Sequence, residues 1–226
     1  MTDLQRKDLS LVHRVRAPST PPAASGRAPL LILLHGVGSN EVAMAALSGS
    51  FDPRFIVVSA RSPLELERFS FAWFNVTFSA NGPVIDGREA EAAWSRVTRF
   101  IDEAVVAYRA DPRKVFAAGF SQGGIVALAT LLTAPERLAG AVCMSGRLPP
   151  EVLPHIVPPE RLRDKAVLIV HGVDDDVLGI DFARSARTIL DQLPLVLDYH
   201  ELELGHTTSP ASLELVSTWL TERLSD

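Results

Sequence analysis

Cysteine is almost absent from this chain. Cys143 is the single thiol in 226 residues, which rules out an internal disulfide and any metal site built from several thiolates. Positive charge is also scarce: 22 Lys and Arg stand against 27 Asp and Glu, for a formal charge of −5. Such a balance supplies no basic field for a phosphate backbone and argues against a dedicated nucleic-acid binder. No apolar run approaches the ~18 residues of a membrane span. The opening residues MTDLQRKDLS lack the apolar stretch of a signal peptide, which predicts a soluble, cytoplasmic protein without stable membrane insertion. Internal repeats and domain-sized linkers are missing too. One domain spanning 1–226 is expected, because domains run to roughly 100–200 residues. The composition that remains, 47% apolar and 22% charged, is that of a folded domain with one core.

Within it, apolar runs recur at even intervals. Leu30–Leu34 is continuous and stops abruptly at His35-Gly36; similar runs occupy Phe55–Ser59, Val115–Gly119, Ala139–Met144, Val167–Val170 and Val196–Tyr199. Uninterrupted runs of this kind mark strands of a parallel sheet covered on both faces. Helical patterns lie between them. Asp86 and Glu89 form a capping pair ahead of Ala90, Trp94, Val97, Ile101, Ala104, Val105 and Tyr108 on one face. Ser121–Thr133, Phe182–Leu193 and Pro210–Leu224 follow, the last with Ser209 as N-cap. Alternating strands and helices predict an α/β fold with a mostly parallel central sheet and helices on both faces. Residues 1–28 read as an edge strand at Leu9–Val15 and a Pro/Ser/Ala loop. The segment 61–83 breaks the rhythm: it is too long for an ordinary connection and holds Phe69, Phe71, Trp73, Phe74 and Phe78.

Chemistry concentrates in short motifs at strand ends. Gly119-Phe120-Ser121-Gln122-Gly123 fits G-x-S-x-G between an apolar strand and a helix, the setting in which a tight turn lifts a serine oxygen off a sheet. The helix N-terminus there can face a developing anion. A serine hydroxyl needs a base, and the base needs an orienting acid. With the order Ser, acid, His along the chain, His206 in the loop before the last helix is the best-placed base. His155 lies in a Pro-rich loop, His200 within a strand, and His171 ahead of every candidate acid in its own loop. The acid belongs in the loop after Val167–Val170, where Asp174, Asp175 and Asp176 stand side by side; chemistry alone leaves the choice among them open. Their adjacency lacks the interleaved spacing of a calcium loop, and no metal is expected. His35-Gly36-Val37-Gly38 ends the first core strand, where Val37 N–H and Gln122 N–H would pair as an oxyanion hole.

Taken together, LLHGVGSN (33–40), AWFN (72–75), GFSQGG (119–124), HGVDDDV (171–177) and GHTTSP (205–210) resemble the phospholipase/carboxylesterase family of α/β-hydrolases, which includes acyl-protein thioesterases. The resemblance spans about Leu30 to Leu224. It implies Asp175 as the acid, through the family's H-G-x-x-D motif, with Ser121 as nucleophile, His206 as base, and Val37 and Gln122 as oxyanion donors. It also implies no metal, no organic cofactor and a monomer or homodimer. The family often has Arg-x-W-F-D where this chain reads Phe71-Ala72-Trp73-Phe74-Asn75, and an apolar-Pro pair where Leu178-Gly179 stands. Both departures flank the expected cleft and bear on substrate choice.

The expected activity is therefore hydrolysis of a small-molecule carboxyl ester through an acyl-enzyme. An acyl thioesterase or lysophospholipase would use the same groups, and a non-catalytic binding protein could be built on the same fold. At this length no separate cap domain is expected. The 61–83 aromatic segment then becomes the candidate wall of the substrate pocket, with Phe71, Trp73, Phe74 and, from the acid loop, Leu178 as candidate contacts.

Overall fold

The computed structural model describes residues 8–20, 26–79 and 82–224, without the side chains of Phe78 and Ser79. The loop read at Ala17–Arg27 therefore falls only partly within the described residues. In chain order the elements are β1 (His13–Arg16), β2 (Leu30–Leu34), α1 (Glu41–Ala46), β3 (Ile56–Ala60), β4 (Leu64–Glu67), β5 (Ser70–Ala72), β6 (Val76–Ser79) and β7 (Gly82–Ile85). They continue with α2 (Gly87–Ala107), β8 (Val115–Phe120), α3 (Gln122–Thr133), β9 (Gly140–Met144), β10 (Ala166–Gly172), α4 (Ile180–Leu190), β11 (Val196–Leu202) and α5 (Pro210–Glu222).

Seven strands form the central sheet in the order β1-β3-β2-β8-β9-β10-β11. All pairs are parallel except β1 against β3 at the edge. The edge strand begins at His13, later than Leu9, because only His13–Arg16 find partners on β3. Alternation within β2 explains its unbroken apolar run. Leu30, Ile32 and Leu34 join the core beneath α2, α3 and α4, whereas Leu31 and Leu33 join the core beneath α1 and α5. Each face is covered, so every residue of β2 is buried.

The helices obey their sequence signals with small shifts. Asp86 caps α2 by accepting from the N–H groups of Arg88 and Glu89. The expected reciprocal bond from Glu89 is not made; that carboxylate reaches instead to the Asn75 backbone and side chain. Ser209 and Ser212 do close a full capping box at α5. The short helix α1 had no counterpart in the sequence reading, and Asn40 caps it through Val42 N–H and Ala43 N–H.

The aromatic segment 61–83 is not one irregular loop, as its sequence suggested, but two small hairpins, β4–β5 and β6–β7. The first turn escaped detection because it uses Phe69 at φ 66 where Gly or Asn would ordinarily signal it.

The sheet order reverses between β2 and β8, whose chains leave toward opposite edges. The carboxyl ends of such a pair form the crevice where ligands of open α/β sheets bind. His35-Gly36-Val37 leaves β2 there, and Ser121 leaves β8.

Phe100 on α2 is wholly buried, while Val106 on the same helix is 78% exposed. Phe100→Ala is expected to cost about 3–5 kcal/mol and Val106→Ala within about 0.5 kcal/mol, read as the difference in melting temperature.

Candidate active site

The turn after β8 is set by two glycines. A Cβ on Gly119 would lie 2.1 Å from the Gly123 carbonyl carbon, and one on Gly123 would lie 2.1 Å from the Leu34 carbonyl oxygen. Only glycines let α3 start this close to β8 and β2. Between them Ser121 is held at φ 52, ψ −120, a conformation costing roughly 1–3 kcal/mol for a residue with a side chain. Its N–H donates to Met144 O at 2.8 Å, and its carbonyl accepts from Ile125 N–H at 3.1 Å, which holds the strained turn in place.

His206 reaches the serine from the loop after β11. Its Nε2 is 3.0 Å from Ser121 Oγ and its Nδ1 is 2.7 Å from Asp175 Oδ2. The Phe120 ring packs against the imidazole at 4.9 Å between centroids. The acid and base loops are tied together by backbone: Val173 N–H donates to Leu202 O at 2.9 Å and Asp174 N–H to Leu204 O at 3.2 Å. Gly172 permits this approach, since a Cβ there would lie 2.0 Å from Leu204 O.

Burial separates the three adjacent aspartates. Asp174 and Asp176 are exposed, and the Asp175 side chain has no exposure at all. Its Oδ1 accepts from Val177 N–H at 3.0 Å and Leu178 N–H at 2.7 Å, which turns the loop back on itself and aims Oδ2 at His206. His171 braces the other side, donating from Nε2 to Leu178 O at 2.6 Å and lying 3.3 Å from Asp175 Oδ2.

The β2 loop is fastened from the first hairpin. Gly38 N–H donates to Phe71 O at 2.9 Å, and Phe71 N–H to Ser39 O at 3.0 Å. His35 donates from Nδ1 to Gly36 O at 2.7 Å and accepts on Nε2 from Ser62 N–H at 3.1 Å. Burial lowers its pKa and keeps the ring neutral, as that tautomer requires. Trp73 Nε1 donates to His35 O at 2.9 Å. The buried Gln122 side chain clamps the next stretch, accepting from Trp73 N–H and donating to Phe74 O, both at 2.7 Å. Neither Val37 N–H nor Gln122 N–H meets a backbone carbonyl among the described residues, which leaves both available beside Ser121.

Two cavities meet at Ser121 and share Val37, Val76 and Val177 in their walls. The larger, about 480 Å³, adds His206, Phe120, Met44 and Leu47. The smaller, about 40 Å³, adds Phe74, Ile125, Leu178 and Arg147. Of the aromatic and apolar contacts read from sequence, Phe74 and Leu178 line a cavity at the serine. Phe71 and Trp73 line neither; they are buried behind the site, where their backbone and indole bonds hold its walls. Val76, Phe120 and Arg147 were missed. Arg147 had one usable signal, a cation in the loop just beyond an apolar strand on the carboxyl edge of a parallel sheet. A hollow of about 730 Å³ near Arg113, Lys114 and Asp164 is larger but does not include Ser121 in its lining.

The model of the phospholipase/carboxylesterase family matches residues 16–224. A probable carboxylesterase of Oryza sativa subsp. japonica is 29% identical over 90% of this chain and 92% of its own length. An acyl-protein thioesterase 1 of Yarrowia lipolytica is 25% identical over 91% and 96% respectively. The crystal structure of a Bacillus cereus carboxylesterase superposes with a TM-score of 0.77 at 23% identity, covering 94% of each chain, and shares the α/β-hydrolase fold.

Gln122→Ala would leave Trp73 N–H and Phe74 O without partners. It is expected to destabilise the fold by roughly 2–4 kcal/mol. Thermal unfolding checks this, with a fall of several degrees expected at the roughly 2–4 °C per kcal/mol usual for this size.

Proposed function

The chain belongs to the phospholipase/carboxylesterase family and is a hydrolase of the serine-esterase type, and from that premise we propose that it cleaves carboxyl esters through an acyl-enzyme on Ser121. The observation that carries this reading is the unbroken hydrogen-bonded chain Ser121–His206–Asp175, assembled from the loops after β8, β11 and β10 on the carboxyl edge of the sheet. His206 Nε2 takes the Ser121 proton as Oγ attacks the acyl carbon. Asp175, held by four neighbours, keeps the imidazole in the tautomer that presents Nε2 as a base. Val37 N–H and Gln122 N–H receive the developing oxyanion, a donor of this kind being worth roughly 10²–10³ in rate. His206 then protonates the leaving oxygen, and water attacks the acyl-enzyme with His206 as base again. No step calls on a metal or an organic cofactor.

The leaving oxygen must sit at His206, so the alcohol portion occupies the larger cavity, which His206 lines. The acyl portion enters the smaller one, and its size favours short acyl groups. A thioester is the second reading, favoured by the likeness to an acyl-protein thioesterase; the same groups would expel a thiolate. The reading is of a one-domain enzyme that meets a small-molecule substrate in the cytoplasm; among the described residues no helix is long and apolar enough to cross a membrane.

A p-nitrophenyl ester series tests both parts. Acetyl and butyryl esters should turn over faster than octanoyl and longer ones, and Ser121→Ala should abolish turnover together with fluorophosphonate labelling. Asp175→Asn should lower kcat by roughly 10³–10⁴-fold. A wild-type protein inert to the esters, to acyl thioesters and to the probe would refute the reading.

Cys143 gives a control for the nucleophile's identity. Burial pushes its thiol pKa up to about 12, so iodoacetamide at pH 8 should leave activity intact. Mass spectrometry of the native protein should find Cys143 unmodified.

A further inference from the structure

Arg147 is the one charged residue lining the small cavity at Ser121, and only 7% of it is exposed. It lies three residues beyond the end of β9, after the turn at Ser145-Gly146. Of the guanidinium's several N–H donors, one is engaged, from Nη2 to Pro83 O at 3.1 Å. The Phe182 ring lies beneath the group, 5.6 Å from Cζ to centroid. Among the described residues it forms no ion pair within 4 Å; the Glu151 carboxylate, whose buried Oε2 has no hydrogen-bond partner, attracts it through space without touching it. The rest of the cavity wall is apolar, apart from Ser121 and the Gln122 amide that already clamps the hairpin. Glu151 offsets part of the charge of a cation so enclosed, but the guanidinium keeps donors to spare on the cavity side with no carboxylate hydrogen-bonded to them, and an anion there would complete it.

We infer that Arg147 makes the small cavity an anion subsite, and that the enzyme's substrates are esters whose short acyl group ends in a carboxylate, the half-esters of small dicarboxylic acids. The inference rests on the ester-hydrolase reading of Ser121 and adds its substrate class. A carboxylate matches the single positive charge and the planar donor fork of arginine, whereas a phosphate dianion would leave one charge unbalanced in a cavity of about 40 Å³. Hydrolysis adds water across the ester C–O bond, releasing the alcohol and the free dicarboxylate. Burial lowers the arginine's pKa from its ordinary value, and a bound carboxylate would reverse that cost.

Monoethyl succinate and ethyl 4-methylpentanoate test this, because the second replaces the carboxylate by an uncharged isopropyl group with the same heavy-atom branching. The ratio of their kcat/KM values isolates the charge, since any loosening of the Pro83 contact affects both esters alike. The wild type should favour the anionic ester. Arg147→Met should lower the ratio by roughly tenfold to a hundredfold, and Arg147→Lys should retain part of the preference. A ratio unchanged in Arg147→Met, or a wild type that favours the neutral ester, would overturn the subsite.

A binding measurement separates this from the reaction itself. Calorimetry should detect monoethyl succinate binding to Ser121→Ala and lose it in Ser121→Ala/Arg147→Met. Equal binding to both, or none with Arg147 in place, would also overturn the proposal. Turnover failure with Arg147-dependent binding would instead count against the esterase reading alone.

Discussion

At the centre of this molecule one backbone lies against another with no side chain between them. Gly123 at the start of α3 meets the Leu34 carbonyl at the end of β2, and Gly119 on β8 meets Gly123 in turn. A methyl group at either position would collide with main-chain atoms that belong to the sheet and cannot move aside. That approach forces the chain through the left-handed conformation of Ser121 and starts the helix within reach of the β2 loop. Ser121 thereby lines one small cavity together with Val37 and Gln122. The strain at Ser121 is sustained by its bonds to Met144 and Ile125, both parts of the packed interior.

Around that point the molecule repeats one device, holding a reactive loop by backbone hydrogen bonds from a neighbouring element. The acid loop leans on the base loop where Gly172 lets Leu204 approach. The Phe71 backbone grips the β2 loop, and Gln122 grips the backbone of Trp73 and Phe74. Arg61, over the Phe71 ring and paired with the buried Glu41, ties the same hairpin to α1. The hairpins of the aromatic segment thus act as scaffolding as well as wall. Among the described residues no cap domain stands over the serine, and the small cavity there is walled in part by Val37, Val76 and Val177.

Much of this was legible in the chain itself. The unbroken runs at Leu30–Leu34 and Val115–Gly119 announced strands covered on both faces, and both lie in the middle of the sheet. Ser121 was readable as a candidate from its tight turn directly after a strand, and His206 from its place in the loop between the last strand and the last helix. Chemistry left Asp174, Asp175 and Asp176 open, and the resemblance to a family chose among them. The structure supplies the physical distinction, burial and two backbone donors for Asp175 alone.

Other features depended on partners distant in sequence. Two hairpins hid inside 61–83 because their strands are short and one turn relies on Phe69 rather than glycine. Phe71 and Trp73 looked like substrate contacts from composition, yet packing turned them inward to hold the loop of a strand some 35 residues earlier. Arg147 drew no notice, since an arginine after a strand is ordinary until the hairpin at Pro83 and the ring of Phe182 close around it. The sequence by itself determined the layers, most of the strands and the tight turn that carries Ser121, because these follow from periodicity and from glycines placed beside a serine. Which aspartate is buried against His206, and which side chains line the cavities at Ser121, were decided only by the tertiary structure, because burial arises between elements that are remote along the chain.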